Sequence, residues 1–195
     1  MTGLGAHTRA GRTGTRRGRR SGAAAALAVA LVVSGCGAVG DDGPDARPAG
    51  VPDDAQRLVV DEVVDGDTVR ARALEAGPVL TTTEQVRVRL VEIGTPEVYP
   101  EQECYGPEST DALEALTPPG SRVWAVAGPE PQDRFGRELL YLWTEDGTFV
   151  QESLVREGYA EAFVLGANDR YERLLDDAER DARGDRRGRW SACAD

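Results

Sequence analysis

The stretch that decides the fold is residues 87–97, which read RVRLVEIGTPE. Its first half alternates apolar and cationic residues, the pattern of a β-strand with one buried face. Gly94 and the following Thr-Pro-Glu form a turn signal, so we expect a strand over 84–93 that ends there. Arg89 on this strand and Glu97 just after it are therefore expected to face one polar ligand from two sides.

The flanking segments predict the rest of the sheet and the helices. Further strands are predicted at 58–64, 69–74, 122–126 and 137–143, with the turn Asp65-Gly66-Asp67-Thr68 joining the first two as a hairpin. Helices are predicted at 106–116, at 148–157, and from 168 or 169 to 184. Five strands with one helix after the third and two at the end predict an α+β fold. It is a small antiparallel OB-fold barrel (oligonucleotide/oligosaccharide-binding type) of five strands with three α-helices.

The first 35 residues have the features of an export signal. They contain six arginines and no acidic residue, and an apolar run of 11 residues at 23–33 is too short to cross a bilayer as a helix. Residues 33–36, Val-Ser-Gly-Cys, resemble the bacterial lipobox. That resemblance implies cleavage before Cys36 and lipid attachment to its thiol. The alternative is a plain signal peptide with an incidental cysteine.

These features predict three regions. A lipoprotein signal peptide occupies 1–35, the lipid-anchor cysteine and a flexible linker rich in Gly, Pro and Asp occupy 36–56, and a folded domain occupies 57–195. The expected location is the outer face of the bacterial cell membrane, to which the protein is anchored through its N-terminal lipid. We expect a monomer.

The three cysteines agree with export. An odd number in a protein sent to an oxidising compartment leaves Cys104 and Cys193 as a pair if Cys36 carries lipid. A disulfide between them closes a loop of about 90 residues and contributes about 2–4 kcal/mol. Two free thiols are the alternative. No Cys-x-x-Cys motif is present and the single histidine, His7, lies in the leader, which argues against zinc.

The charge of the chain constrains its ligands. The whole chain carries −11, and without the leader 17 arginines and no lysine stand against 34 acidic residues, a formal charge of −17. Such a field repels nucleic acid at long range. A polyanionic substrate must therefore be held by a local arginine cluster or by a metal ion.

Four short segments carry the candidate chemistry, and they contribute Asp67, Arg89, Glu97 and Arg137. Carboxylate and carbonyl oxygens suit Ca²⁺, and guanidinium groups bind phosphate oxygens in pairs. Hydrolysis of a phosphodiester needs neutralised charge and a base that activates water. Taken singly, each segment also has a structural explanation as a turn, a loop or a solvated strand face. Their order and spacing together favour hydrolysis.

The combination resembles the staphylococcal nuclease (thermonuclease-like) family over about residues 59–191. The matching stretches are VVDGDTV (63–69), RLVEIGTPE (89–97), YGPES (105–109), DRFGRELLYLW (133–143), VQESLVREGYA (150–160) and the final helix through Arg189-Trp190-Ser191. The resemblance implies the same barrel with three helices. It also implies calcium-dependent cleavage of DNA and RNA that leaves 3′-phosphate ends.

The resemblance implies a role for each matched position. Asp67 matches a calcium ligand, and Thr95 matches the residue whose backbone carbonyl binds the ion. Glu97 matches the general base that orients the attacking water. Arg89 and Arg137 match the arginines that hold the phosphate and stabilise the transition state.

Gly94 departs from the family pattern, which has aspartate at this position as a second carboxylate ligand. Fewer charged ligands weaken a calcium site. Glu92 is a candidate replacement because it is two residues from Gly94 on a regular strand, although it then faces away from Arg89. The sequence therefore leaves two functions open: a nuclease with a weakened metal site, and a non-catalytic OB-fold module that binds nucleic acid or a protein partner at the cell surface.

Overall fold

The computed structural model of the chain describes residues 47–164 and 166–193. The predicted signal peptide, the predicted lipid-anchor Cys36 and most of the predicted linker lie outside these residues. Within them, no helix has the length and apolar character needed to cross a membrane. In chain order the elements are β1 (Gln56–Asp65), β2 (Thr68–Ala73), β3 (Val86–Leu90), β4 (Ile93–Gly94), α1 (Gly106–Leu116), β5 (Arg122–Gln132), β6 (Glu138–Thr144), α2 (Val150–Arg156), β7 (Glu161–Ala162), α3 (Glu172–Gly184) and α4 (Arg189–Ala192).

Five strands close into a barrel in the order β1-β2-β3-β6-β5. The predicted five-stranded barrel with three α-helices is confirmed, with α4 as an additional single turn of helix. The prediction that every pair is antiparallel is wrong, because β3 and β6 pair in parallel with Arg89 opposite Leu139. These two strands are separated in the chain by α1 and β5, and a long crossover connection is what a parallel pair requires.

The third strand is shorter than the predicted 84–93. It ends at Leu90, the chain turns at Val91 and Glu92, and β4 then leaves the barrel to pair with β7. Glu92 has a φ of 62°, in the left-handed region that non-glycine residues seldom adopt. The mostly apolar residues 90–93, Leu-Val-Glu-Ile, concealed this turn in the sequence, although the alternation breaks at Val91.

The buried carboxylate of Glu92 holds the turn in place. Only 1% of Glu92 is exposed. Its carboxylate accepts hydrogen bonds from the Tyr141 hydroxyl and from the Tyr171 backbone N–H, at 2.9 and 3.0 Å to the two oxygens. Burial raises the pKa of Glu92, and these hydrogen bonds oppose the rise. The contacts join the end of β3 to β6 and to the start of α3.

The folded domain begins before the predicted residue 57. Val51 is buried in the core, and Arg47 forms an ion pair with Asp53. The segment from 47 to 55 therefore packs as part of the domain. Its Pro- and Asp-rich composition offers little to bury and therefore predicts a flexible linker, and this prediction is wrong for these residues.

The disulfide between Cys104 and Cys193 is present, as predicted, with the two Cα atoms 5.9 Å apart. Cys104 lies two residues before α1, and Cys193 follows α4 directly. The bridge ties the loop that enters α1 to the end of the described chain.

We predict that Glu92→Ala lowers the free energy of unfolding by about 3 kcal/mol. The substitution leaves the Tyr141 hydroxyl and the Tyr171 N–H without their buried acceptor. Urea denaturation measures the loss, and Glu84→Ala, which removes an exposed glutamate just before β3, is expected to change stability by less than about 0.5 kcal/mol. Equal effects of the two substitutions would contradict this role for Glu92.

Candidate active site

The turn between β1 and β2 presents Asp67 to the strands beside it. Asp65 pairs with Thr68 across the hairpin, which leaves Gly66 and Asp67 in the turn. A Cβ atom at Gly66 would lie 2.9 Å from the Cβ atoms of Thr95 and Ser109. Glycine is therefore required for the turn to approach β4 and α1 this closely.

The Asp67 carboxylate is almost fully enclosed by polar contacts. Its Oδ1 accepts a hydrogen bond from the Thr68 hydroxyl at 3.0 Å, and its Oδ2 accepts one from the Thr95 hydroxyl at 3.1 Å. The same Oδ2 lies 3.0 Å from Nη2 of Arg89. Burial raises the pKa of Asp67 to about 6 against the opposing effects of Arg89 and the two hydroxyls, and the neighbouring charge of Asp65 adds to the rise.

Arg89 connects this carboxylate to the backbone at the end of β3. Its guanidinium donates to the carbonyl oxygens of Leu90 and Ile93, the latter at 2.7 Å, and 12% of the side chain is exposed. Burial lowers the pKa of Arg89, and the positive charge of Arg137 lowers it further, whereas Asp67 and Glu97 raise it. Asp67, Glu97 and Arg137 therefore each lie close enough to Arg89 to act on its charge.

Arg137 is held by the hairpin loop between β5 and β6. Asp133 accepts hydrogen bonds from the backbone N–H groups of Phe135 and Arg137, at 2.9 and 3.0 Å, and from Nε of Arg137 at 2.6 Å. Burial alone would raise the pKa of Asp133, but these hydrogen bonds lower it below its usual value. Asp133 is thus an ionised carboxylate that orients Arg137. No local pattern in the sequence indicates this role for Asp133.

Glu97 lies on the exposed loop that follows β4. Its backbone N–H donates to Glu103 Oε2 at 3.1 Å, and the Glu103 N–H donates to the Glu97 carbonyl at 2.8 Å. Cys104, the next residue, carries the disulfide to Cys193. These reciprocal hydrogen bonds and the covalent bridge brace the loop that carries Glu97, a role that the sequence did not indicate for Glu103.

The space beside Gly94 accepts a side chain. An added Cβ atom would lie 3.6 Å from Cβ of Phe163 and 3.8 Å from Cγ of Glu161, both ordinary contact distances. Glu161 stands directly opposite Gly94 in the β4–β7 pair, and its carboxylate lies 3.2 Å from Nη1 of Arg189. The hypothesis that Glu92 replaces the missing ligand is wrong, because that carboxylate is buried against Tyr141 and Tyr171.

The described residues near Asp67 offer fewer oxygen ligands than a complete cation site has. Among the described residues, no group of three or more His, Cys, Asp or Glu side chains is arranged to hold a metal ion. Asp67 offers one carboxylate, whereas calcium takes about six to eight oxygen ligands. A hard cation bound here would therefore keep several water molecules.

The sequence of this chain is similar to the sequences of known nucleases. A sequence profile described as "Staphylococcal nuclease homologue" matches residues 87–192. "Thermonuclease" of Staphylococcus intermedius is 30% identical over 168 residues, which cover 84% of this chain and 93% of that protein. An "uncharacterized endonuclease" of Escherichia coli O157:H7 is 33% identical over 129 residues, which cover 66% of this chain and 73% of that protein.

A third relative is much longer than this chain. "Endonuclease YhcR" of Bacillus subtilis (strain 168) is 32% identical over 143 residues, which cover 68% of this chain but 11% of that protein.

The profile match spans more than half of the chain, and it includes Arg89, Glu97 and Arg137 together with the strands that carry them. On these matches and on its five-stranded barrel, the chain belongs to the staphylococcal nuclease family.

Proposed function

We propose that this protein hydrolyses phosphodiester bonds of DNA or RNA with the help of Ca²⁺. The observation that supports the proposal best is the buried ion pair of Asp67 and Arg89. The Thr95 hydroxyl donates a hydrogen bond to the same Asp67 carboxylate, and the charges of Arg137 and Glu97 act on Arg89. Two guanidinium groups and two carboxylates on one side of a small barrel match the needs of phosphate transfer: charge neutralisation and a base for water.

The two arginines bind the phosphate in this proposal. Each is now held by a carboxylate, Arg89 by Asp67 and Arg137 by Asp133, so their positions are set before substrate arrives. A guanidinium has five N–H donors, and those that the carboxylates leave free are available to the phosphate oxygens. Glu97, which is exposed on its braced loop, accepts the proton of the attacking water.

Asp67 and the carbonyl of Thr95 would hold the calcium ion. When bound, such an ion supplies positive charge that stabilises developing negative charge on the phosphate oxygens. Gly94 gives no side-chain oxygen, so we expect weak binding that needs millimolar calcium, in the range of extracellular calcium-binding modules. Export and lipid anchoring through Cys36 would place the site where such concentrations occur.

A non-catalytic OB-fold module is the second candidate. The missing carboxylate at Gly94 favours it, as does the formal charge of −17 without the leader, which leaves nucleic-acid affinity dependent on a few arginines. Such a module would bind nucleic acid or a protein partner at the cell surface without cleaving it. An activity assay separates the two candidates.

We predict hydrolysis of single-stranded DNA that requires millimolar Ca²⁺ and stops when a chelator is added. Glu97→Gln and Arg137→Ala are each expected to reduce the rate by at least about 100-fold, because they remove the base and one phosphate ligand. Arg87→Ala and Glu101→Gln are matched controls, since both side chains are exposed and the first lies on the same strand as Arg89.

If the folded protein has no chelator-sensitive activity, the proposed calcium-dependent hydrolysis is wrong and the non-catalytic OB-fold module is the remaining candidate. Loss of activity in the two control variants as well would contradict the assigned roles, because the removal of any nearby charge would then be enough to stop hydrolysis. Circular dichroism of each variant confirms that the domain is folded.

We predict that the Asp67 carboxyl of the calcium-free protein titrates near pH 6, because burial raises its pKa. Carboxyl ¹³C NMR measures the midpoint directly. A carboxyl with a raised folded-state pKa favours the folded state at low pH, and this contribution is lost as the pH rises through about 6. The wild type should therefore lose stability relative to Asp67→Asn between pH 4 and pH 6. A midpoint near 4 would contradict the burial of this group.

A further inference from the structure

We propose that Glu161 supplies the second carboxylate of the cation site, in place of the side chain that Gly94 lacks. In the absence of the cation, Arg189 occupies this carboxylate and competes for it. The inference rests on the proposed calcium-dependent hydrolysis and adds a ligand from β7 to the same site.

The pairing of β4 with β7 carries the argument. Gly94 and Glu161 are direct partners in an antiparallel pair. The side chains of direct partners project from the same face, with their Cβ atoms about 4.5–5.5 Å apart. Cγ of Glu161 lies 3.8 Å from the position of a Cβ atom at Gly94. Glu161 therefore occupies the face from which a carboxylate at position 94 would project, and its extra methylene group gives it the reach.

The same strand pair lies against Asp67. The residue after Gly94, Thr95, donates its hydroxyl to Asp67 Oδ2 at 3.1 Å. Arg89 Nη2 contacts both that oxygen, at 3.0 Å, and the carbonyl of Ile93, at 2.7 Å. Residues 93–95 thus lie between Asp67 and β7, and Glu161 pairs directly with the middle residue of this segment.

The ion pair between Glu161 and Arg189 can be broken at a small cost in free energy. Its side chain is 41% exposed, and Arg189 at 3.2 Å is its single ion-pair partner among the described residues. A pair with this exposure contributes about 0–1 kcal/mol. Arg189 has a second contact when released, because its guanidinium carbon lies 4.9 Å from the Trp190 ring centroid. A divalent cation can therefore displace Arg189 from Glu161.

Residues 94 and 161 carry one carboxylate between them, that of Glu161. Two carboxylates directly opposite each other in a strand pair repel. A chain with glutamate at 161 and glycine at 94 keeps one carboxylate on this face and avoids the repulsion.

Cation binding by the full-length chain tests the proposal without any assay of hydrolysis. The probes are Tb³⁺, detected by luminescence sensitised through Tyr and Trp, and Ca²⁺, measured by calorimetry. Glu161→Gln is expected to weaken binding of both ions by about tenfold, because it removes a charged ligand. Arg189→Gln is expected to strengthen binding by up to about fivefold, because it removes the competitor. Glu157→Gln is the matched control, since this exposed glutamate pairs with Arg187.

A rescue variant separates a ligand from a merely structural residue. Gly94→Asp should restore cation binding to Glu161→Gln, because the position has room for the side chain. Unchanged binding in Glu161→Gln, weaker binding in Arg189→Gln, or no cation binding by the wild type would each overturn the proposal. If the two variants shift binding in opposite directions while the wild type cleaves no nucleic acid, the cation site stands and the proposed hydrolysis fails.

Discussion

The ion pair between Asp67 and Arg89 is the contact on which the candidate site depends. It joins the β1–β2 turn to the end of β3, and Arg89 extends it to the carbonyl groups of Leu90 and Ile93. Both side chains are nearly buried, so the pair persists only because hydroxyl and carbonyl groups complete its hydrogen bonds. In the proposed function, the barrel thereby fixes side by side the anionic group that holds the metal ion and the cationic group that binds the phosphate.

Arg137 and Glu97, the other candidate residues, are each held in place by separate contacts. Asp133 holds Arg137 within a tight hairpin loop, and Glu103 with the Cys104–Cys193 bridge braces the loop of Glu97. Among the candidate residues, Asp67, Glu97 and Arg137 thus lie in turns and loops and Arg89 lies on β3, whereas the barrel and the bridge supply rigidity. Gly94 offers no side-chain oxygen to the proposed metal site, and Glu161 lies directly opposite it in the strand pair.

The strands and helices of the barrel could be predicted because they depend on local patterns, whereas the candidate site residues were identified by their resemblance to a family motif. Alternating apolar residues marked the strands, and glycine-containing turns marked the positions of Asp67 and Arg137. The parallel pairing of β3 with β6, the early end of β3 at Leu90 and the placement of Glu161 opposite Gly94 were not predicted. Those features arise from contacts between residues about 50 to 80 positions apart, such as Glu92 with Tyr141 and Tyr171, which periodicity does not encode.

The central claim is that Asp67, Arg89 and Arg137 form one site for a cation and a phosphodiester. A crystal structure of the protein with Ca²⁺ and a non-hydrolysable phosphorothioate dinucleotide tests it most directly. The account predicts the ion on Asp67 and the Thr95 carbonyl, and the phosphate between the guanidinium groups of Arg89 and Arg137. A dinucleotide bound elsewhere on the barrel, with both arginines still closed on Asp67 and Asp133 and no ion between them, would contradict it.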